Sequence, residues 1–145
     1  MKKILFILVL AISFSCSEED NTDAENIAEI EAYLLENNLE AKKTATDLYY
    51  IISNSGSGNS PTFNSTVTVA YKGYFLNGTT FDGSDEATFS LQRLVPGFSE
   101  AVTLLKPGGS GTFILPSKIA YGSRGSGSIQ PGDVIAFDIT LQSIN

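Results

Sequence analysis

The chain has 145 residues, 9 basic and 16 acidic side chains, a formal net charge of −7, one cysteine and no histidine. That length accommodates one modest domain, and the lack of histidine removes His-based nucleophile activation and the commonest metal ligand. The acidic balance argues against non-specific nucleic-acid binding by phosphate neutralisation and against a polybasic membrane patch, and a lone cysteine allows no intrachain disulfide.

At the N-terminus, Lys2 and Lys3 precede an unbroken apolar run over residues 4–12, shorter than the ~20 residues of a spanning helix. A basic start, a short apolar core and the small residues Ser13 and Ser15 ahead of Cys16 read as a secretory signal. The stretch resembles a bacterial lipoprotein signal, in which the cysteine becomes the acylated first residue, although Ser13 and Phe14 depart from the usual pattern. That resemblance implies a signal peptide over residues 1–15 and lipidation at Cys16. It also implies a cell-envelope lipoprotein attached to the outer membrane through its N-terminal lipid, on the periplasmic or surface face. Plain secretion, with Cys16 a free thiol in the cleavage region, and a retained anchor are the other readings. Cleavage before Cys16 removes two lysines and no acids, taking the charge from −7 to −9.

Residues 16–26 are acidic and polar and read as a tether. Ile27, Ile30, Tyr33 and Leu34 recur near a helical period, so a short amphipathic helix is predicted between residues 24 and 38, ended by Asn37-Asn38, within a helical extension over residues 27–46. The extension is read as a linker, or else as a dimerisation or docking element. The body follows over residues 47–145. Residues 48–52 form a strand and 54–61 a Gly/Ser-rich loop. The alternating, β-branched stretch 66–74 is a strand closed by a tight turn at Asn77-Gly78. Short extended pieces at 79–81 and 88–91 flank Asp82-Gly83-Ser84-Asp85. Apolar residues at 98, 101, 102, 104 and 105, between Gly97 and Pro107-Gly108-Gly109, predict one buried helix. A strand at 111–115, a long loop at 116–133 and a final alternating strand at 134–144 complete an antiparallel α+β domain around one central helix.

Familiar catalytic and metal motifs are missing. Asp82, Asp85 and Glu86 lack the spacing of a calcium loop, and Gly108-Gly109-Ser110-Gly111 lacks a phosphate-loop lysine. No metal or cofactor is expected. What remains is a set of aromatics beside turns, Tyr71, Phe81, Phe98, Tyr121 and Phe137, each individually consistent with plain core.

Their sequence context is more specific. Val69-Ala-Tyr-Lys-Gly-Tyr-Phe-Leu-Asn-Gly-Thr-Thr-Phe-Asp-Gly-Ser84 resembles a signature of the FKBP-type peptidyl-prolyl isomerases. So do Leu94-Val-Pro-Gly-Phe-Ser-Glu-Ala-Val102, Lys106-Pro-Gly-Gly109, Ile114-Leu-Pro-Ser117, Ile119-Ala-Tyr-Gly122 and Ile129-Gln-Pro-Gly-Asp-Val-Ile-Ala-Phe-Asp-Ile-Thr-Leu141, in that order along residues 47–144. With its preceding helix, the chain resembles lipoprotein members of the family from Bacteroidetes-like bacteria. The resemblance implies a curved antiparallel half-barrel sheet around a short helix, with a proline pocket between them.

Carried over by residue, it assigns catalytic positions to Tyr71, Phe81, Asp82, Val95, Phe98, Tyr121 and Phe137. Tyr71, Phe81 and Asp82 form one wall, Phe98 the floor, and the Val95 N–H and Tyr121 hydroxyl hold the substrate backbone. Leu94, Ile129, Ala120 and Ala87 are substrate-binding. Phe98 stands where the family usually has tryptophan, Ala87 where many members have an aromatic, and the arginine that often pairs with the aspartate is missing. The implied activity is isomerisation of X-Pro bonds in envelope or exported proteins by non-covalent stabilisation of the twisted amide, with an FK506-like macrolide as a further ligand. The alternative is a non-catalytic proline-peptide-binding or chaperone module on the same fold.

Overall fold

A computed structural model describes residues 18–145; the expected signal segment and Cys16 lie outside the described residues. The elements run α1 (Glu18–Glu36), β1 (Lys42–Lys43), β2 (Tyr49–Asn54), β3 (Thr66–Phe75), β4 (Thr80–Ser90), α2 (Pro96–Thr103), β5 (Ser110–Leu115) and β6 (Ile135–Ile144), with 3-10 turns at Leu91–Arg93 and Ser117–Ile119. The strands form one open sheet in the order β1-β2-β5-β6-β3-β4, and every neighbouring pair is antiparallel.

Strand alternation sorts the side chains onto two faces. Val67 and Val69 of β3, Phe113 and Leu115 of β5, and Ile135, Phe137, Ile139 and Leu141 of β6 share one face and pack with Phe98, Ala101, Val102 and Leu105 in and just after α2. On the other face Tyr49, Ile114 and Ala136, with Tyr74 beside them, meet Ile27, Ile30, Tyr33 and Leu34 of α1. α2 packs on the face that carries the main core, while α1 covers part of the other face, where Asp138, Thr140 and Gln142 of β6 remain exposed.

α2 begins at Pro96, a residue pre-set for a first helical turn. Its second residue must lack a side chain: a Cβ on Gly97 would lie 2.5 Å from Leu115 Cδ2 and 2.8 Å from the Ile119 carbonyl oxygen. Glycine here lets the helix lie directly on β5.

Three expectations need correction. The helix predicted over 24–38 starts at Glu18, so residues 18–26 of the supposed tether are helical. The segment has no proline or glycine to stop a helix, and its Asn26 is anchored in the domain. The helix ends at Glu36, where Asn38 adopts a left-handed φ of 51° and the Leu39 N–H returns 2.9 Å to the Leu34 carbonyl. The extension over 27–46 is accordingly not all helix, because Lys42 and Lys43 pair with Tyr50 and Tyr49.

The pieces predicted at 79–81 and 88–91 are one continuous strand, β4. Val69 pairs with Ala87 but Tyr71 with Ser84, so β4 carries an extra residue at a bulge. Ser84 Oγ stitches it, receiving the Glu86 N–H at 3.2 Å and donating to the Glu86 carbonyl at 3.0 Å. The bulge hides the strand from pattern reading because it shifts the alternation midway.

Candidate active site

Where the sheet meets the start of α2, a cavity of about 130 Å³ is lined by Tyr71, Asp82, Phe89, Leu94, Val95, Phe98, Tyr121 and Phe137. Phe98, buried in the first turn of α2, lies at its centre. Its ring makes edge-to-face contacts with Phe137 (centroids 4.9 Å apart, 84°), Tyr71 (5.7 Å, 90°) and Phe89 (6.0 Å, 82°). This is the arrangement the aromatic quadrupole favours, and it fixes a rigid apolar lining before any ligand arrives. Phe81 extends the cluster outward, 5.8 Å from Phe137 and 5.2 Å from Phe75. Gly73 makes room for it: a Cβ there would come within 2.7 Å of the Phe81 ring and 2.9 Å of Phe137.

Polar groups sit around this lining. The Tyr71 hydroxyl donates to Asp82 Oδ2 at 2.9 Å, and Asp82 Oδ1 accepts the Gly83 N–H at 2.8 Å. Burial, and then the Asp82 carboxylate as acceptor and neighbouring charge, pushes the Tyr71 phenol up to about 12, so it is a neutral donor at physiological pH. Leu94 and Val95 are both extended (φ −101°, ψ 164° and φ −59°, ψ 144°) as they lead into α2. The Val95 carbonyl accepts from the Phe98 and Ser99 N–H groups at 3.1 and 3.2 Å; among the described residues, its own N–H has no acceptor. Tyr121 lines the cavity from the loop between β5 and β6.

Of the residues singled out in the sequence, Tyr71, Asp82, Leu94, Val95, Phe98, Tyr121 and Phe137 converge on the cavity. Ile129 belongs to the core cluster and Phe81 and Ala120 pack against it, none of them lining the cavity, and Ala87 pairs across the sheet with Val69. Phe89 was missed. It lies two residues beyond Ala87 on β4 and lines the cavity, its ring centroid 5.6 Å from that of Tyr71. A period of two counted back from Leu91 finds it. Among the described residues, no group of three or more acidic, histidine or cysteine side chains is placed to hold a metal ion.

An open antiparallel sheet closed over a short helix thus holds an aromatic cavity, with a backbone donor at the helix start beside it. The chain belongs to the FKBP-type peptidyl-prolyl cis-trans isomerase family, whose sequence model matches residues 58–142. It is 41% identical over 135 residues to a Neisseria meningitidis protein named "Probable FKBP-type peptidyl-prolyl cis-trans isomerase FkpA", covering 88% of this chain and 50% of that one. It is 33% identical over 152 residues to a Legionella longbeachae protein named "Outer membrane protein MIP", covering 99% and 65%. The crystal structure of FkpA from Escherichia coli superposes with a TM-score of 0.76 at 30% identity, over 88% of this chain and 62% of that one. The chain thus spans about half to two-thirds of the length of these relatives.

Proposed function

We propose that this chain is a peptidyl-prolyl cis-trans isomerase of envelope or exported proteins. The observation that carries this reading is the cavity, in which four aromatic rings, Tyr71, Phe89, Phe98 and Phe137, surround a space with the Val95 N–H and Tyr121 at its edge. Rotation about an X-Pro bond is slow because amide resonance is lost in the twisted state, at a barrier of about 20 kcal/mol. No bond to another atom breaks, so neither nucleophile nor metal is required. An apolar aromatic pocket gripping the proline ring favours the less polar twisted amide over the charge-separated planar one. The Val95 N–H and the Tyr121 hydroxyl hold the flanking backbone, and Asp82, tied to Tyr71, keeps that wall in place. Binding the twisted form better than the planar one is what lowers the barrier.

In this reading Tyr71, Asp82, Val95, Phe98, Tyr121 and Phe137 act on the substrate from the cavity lining and Phe81 from just beyond it. Leu94, Ile129, Ala120 and Ala87 shape the surround, to which we add Phe89. Proline-containing segments and FK506-like macrolides are the ligands of this pocket. Lipidation at Cys16 and an outer-membrane location complete the reading, supported by the Lys2 to Cys16 pattern and by a relative named an outer membrane protein.

The test is cis-to-trans conversion of Leu-Pro and Phe-Pro peptides by the full chain in mild detergent, beside a Tyr121→Phe variant. Acceleration by the wild type that falls in the variant is expected. A flat rate from a folded protein that still binds the peptide would replace the enzyme with a peptide-binding module, the reading favoured by the small cavity and by Ala87 and Phe98. Radiolabelled palmitate entering the wild type but not Cys16→Ser checks the lipid.

A further inference from the structure

The α1 face that packs on the domain is apolar at Ile27, Ile30 and Leu34, with one break. Asn26 is only 3% exposed, and a buried amide is costly unless its hydrogen bonds are made. Its bonds all go to the loop between β5 and β6. Asn26 Oδ1 accepts from the Ser117 N–H (2.8 Å) and the Ser117 hydroxyl (2.7 Å), while its Nδ2 donates to the Gly132 carbonyl at 3.0 Å. Ser117 and Gly132 lie near the two ends of the loop that presents Tyr121, so one side chain of α1 holds both ends.

The bonds continue to the residues flanking Tyr121. The Ser117 carbonyl accepts the N–H groups of Ala120 and Gly122, each at 2.9 Å, and the Gly122 carbonyl accepts the Gly132 N–H, also at 2.9 Å. Lys118, next to Ser117, reaches Asp47 at 2.7 Å and Asp23 of α1 at 3.6 Å. Those ion pairs are surface-exposed and contribute little; the buried amide is the specific link.

We propose that Asn26 is a positioning residue for the active site, a clamp through which α1 sets the place of Tyr121 at the cavity. The idea rests on the reading of Tyr121 as a substrate-facing group. It gives the N-terminal helix a role in the isomerase site although it lies on the opposite face of the sheet. An apolar residue here would leave the Ser117 donors and the Gly132 carbonyl unpaired, so the amide ties α1 to this loop in a way that apolar packing alone does not.

The experiment uses the full chain in mild detergent with Asn26→Ala, Tyr121→Phe and the double variant, read by isomerase kinetics and by amide hydrogen exchange. The clamp predicts that Asn26→Ala lowers kcat/KM about 10-fold, as a modest misplacement of a substrate-holding group does. It also predicts that the double variant is no more than about twofold slower than Tyr121→Phe alone, because both changes remove one effect. The amides of Ala120 and Gly122 should exchange about 10-fold faster. Multiplicative losses in the double variant, or exchange at Ala120 and Gly122 unchanged in Asn26→Ala, would overturn the clamp. If the wild type shows no isomerisation, the functional reading fails, and the exchange data alone still decide the clamp. Should Asn26→Ala not fold, Asn26→Asp replaces it, keeping the acceptor for Ser117 while losing the donor to Gly132. Faster exchange at Gly132 than at Ala120 then supports the clamp, and no response at either overturns it.

Discussion

The Tyr71 hydroxyl and the Asp82 carboxylate, eleven residues apart on neighbouring strands, are joined by a 2.9 Å hydrogen bond at the edge of the aromatic cavity. The pair crosses the β3/β4 hairpin beside the β4 bulge, so it fixes a side wall of the site as well as one ring. Asp82→Ala removes a charge-assisted acceptor at an exposed position, and kcat/KM should fall about 5- to 10-fold. Tyr71→Phe keeps the ring contacts with Phe98 and Phe137 and should lose a similar factor. The double variant should lose less than the product of the two. Peptide isomerase kinetics on the four proteins checks this, and fully multiplicative losses would show that the bond is not what each variant removes.

Stability should fall on the alkaline side. Burial, reinforced by a carboxylate partner, raises Tyr71 and Tyr49 to about 12, and the same causes, with Asp138 as partner, raise Tyr74. A phenol in the unfolded chain ionises near ~10. The folded state therefore binds more protons than the unfolded one between these values. The contribution of the three tyrosines is complete below about pH 10 and is lost as pH rises through the folded pKa values. Tm measured from pH 8 to 12 should drop steeply above about pH 10, and Tyr71→Phe should make the drop shallower. An unchanged slope in that variant would remove Tyr71 from the explanation.

Gly97→Ala is expected to be destabilising although alanine is the better helix former. The added methyl meets Leu115, which can turn away, and the Ile119 carbonyl oxygen, which belongs to the backbone and cannot. Overpacking of this kind costs about 1–3 kcal/mol. Thermal unfolding should show a Tm lowered by several degrees. A Tm equal to or above wild type would mean that α2 slides on β5 at little cost.

Most of the strand and helix pattern was legible because residues such as Val67, Val69, Ile139 and Leu141 alternate cleanly along β3 and β6 and fill the core. Tyr71, Phe98 and Phe137 were legible as neighbours only through family signatures, since no local rule relates residues so distant in sequence. Two features escaped for physical reasons. The β4 bulge shifts the side-chain alternation between Ser84 and Ala87, which concealed the continuity of that strand and with it the place of Phe89 beside Tyr71. Asn26 lies in a stretch whose acidity suggested solvent, and the hydrogen bonds that bury it go to partners 91 and 106 residues away.

The sharpest prediction for the mechanism concerns a backbone atom. If the Val95 N–H holds a substrate carbonyl, it can be deleted by Val95→Pro with little disturbance of the fold. Proline requires a φ near about −65°, and Val95 already sits at −59°. It also forces the preceding residue into an extended conformation, which Leu94 already has at φ −101° and ψ 164°. The N–H has no acceptor among the described residues, so its loss breaks no internal hydrogen bond, and the Val95 carbonyl that caps the first turn of α2 is retained. Tm should therefore change by only a few degrees, while kcat/KM falls about 100-fold, the lower end of what one preorganised donor contributes. Isoleucine at the same position, which keeps the N–H, should retain activity near wild type. A Val95→Pro protein that folds normally and isomerises at the wild-type rate would mean that the pocket works by its aromatic lining alone.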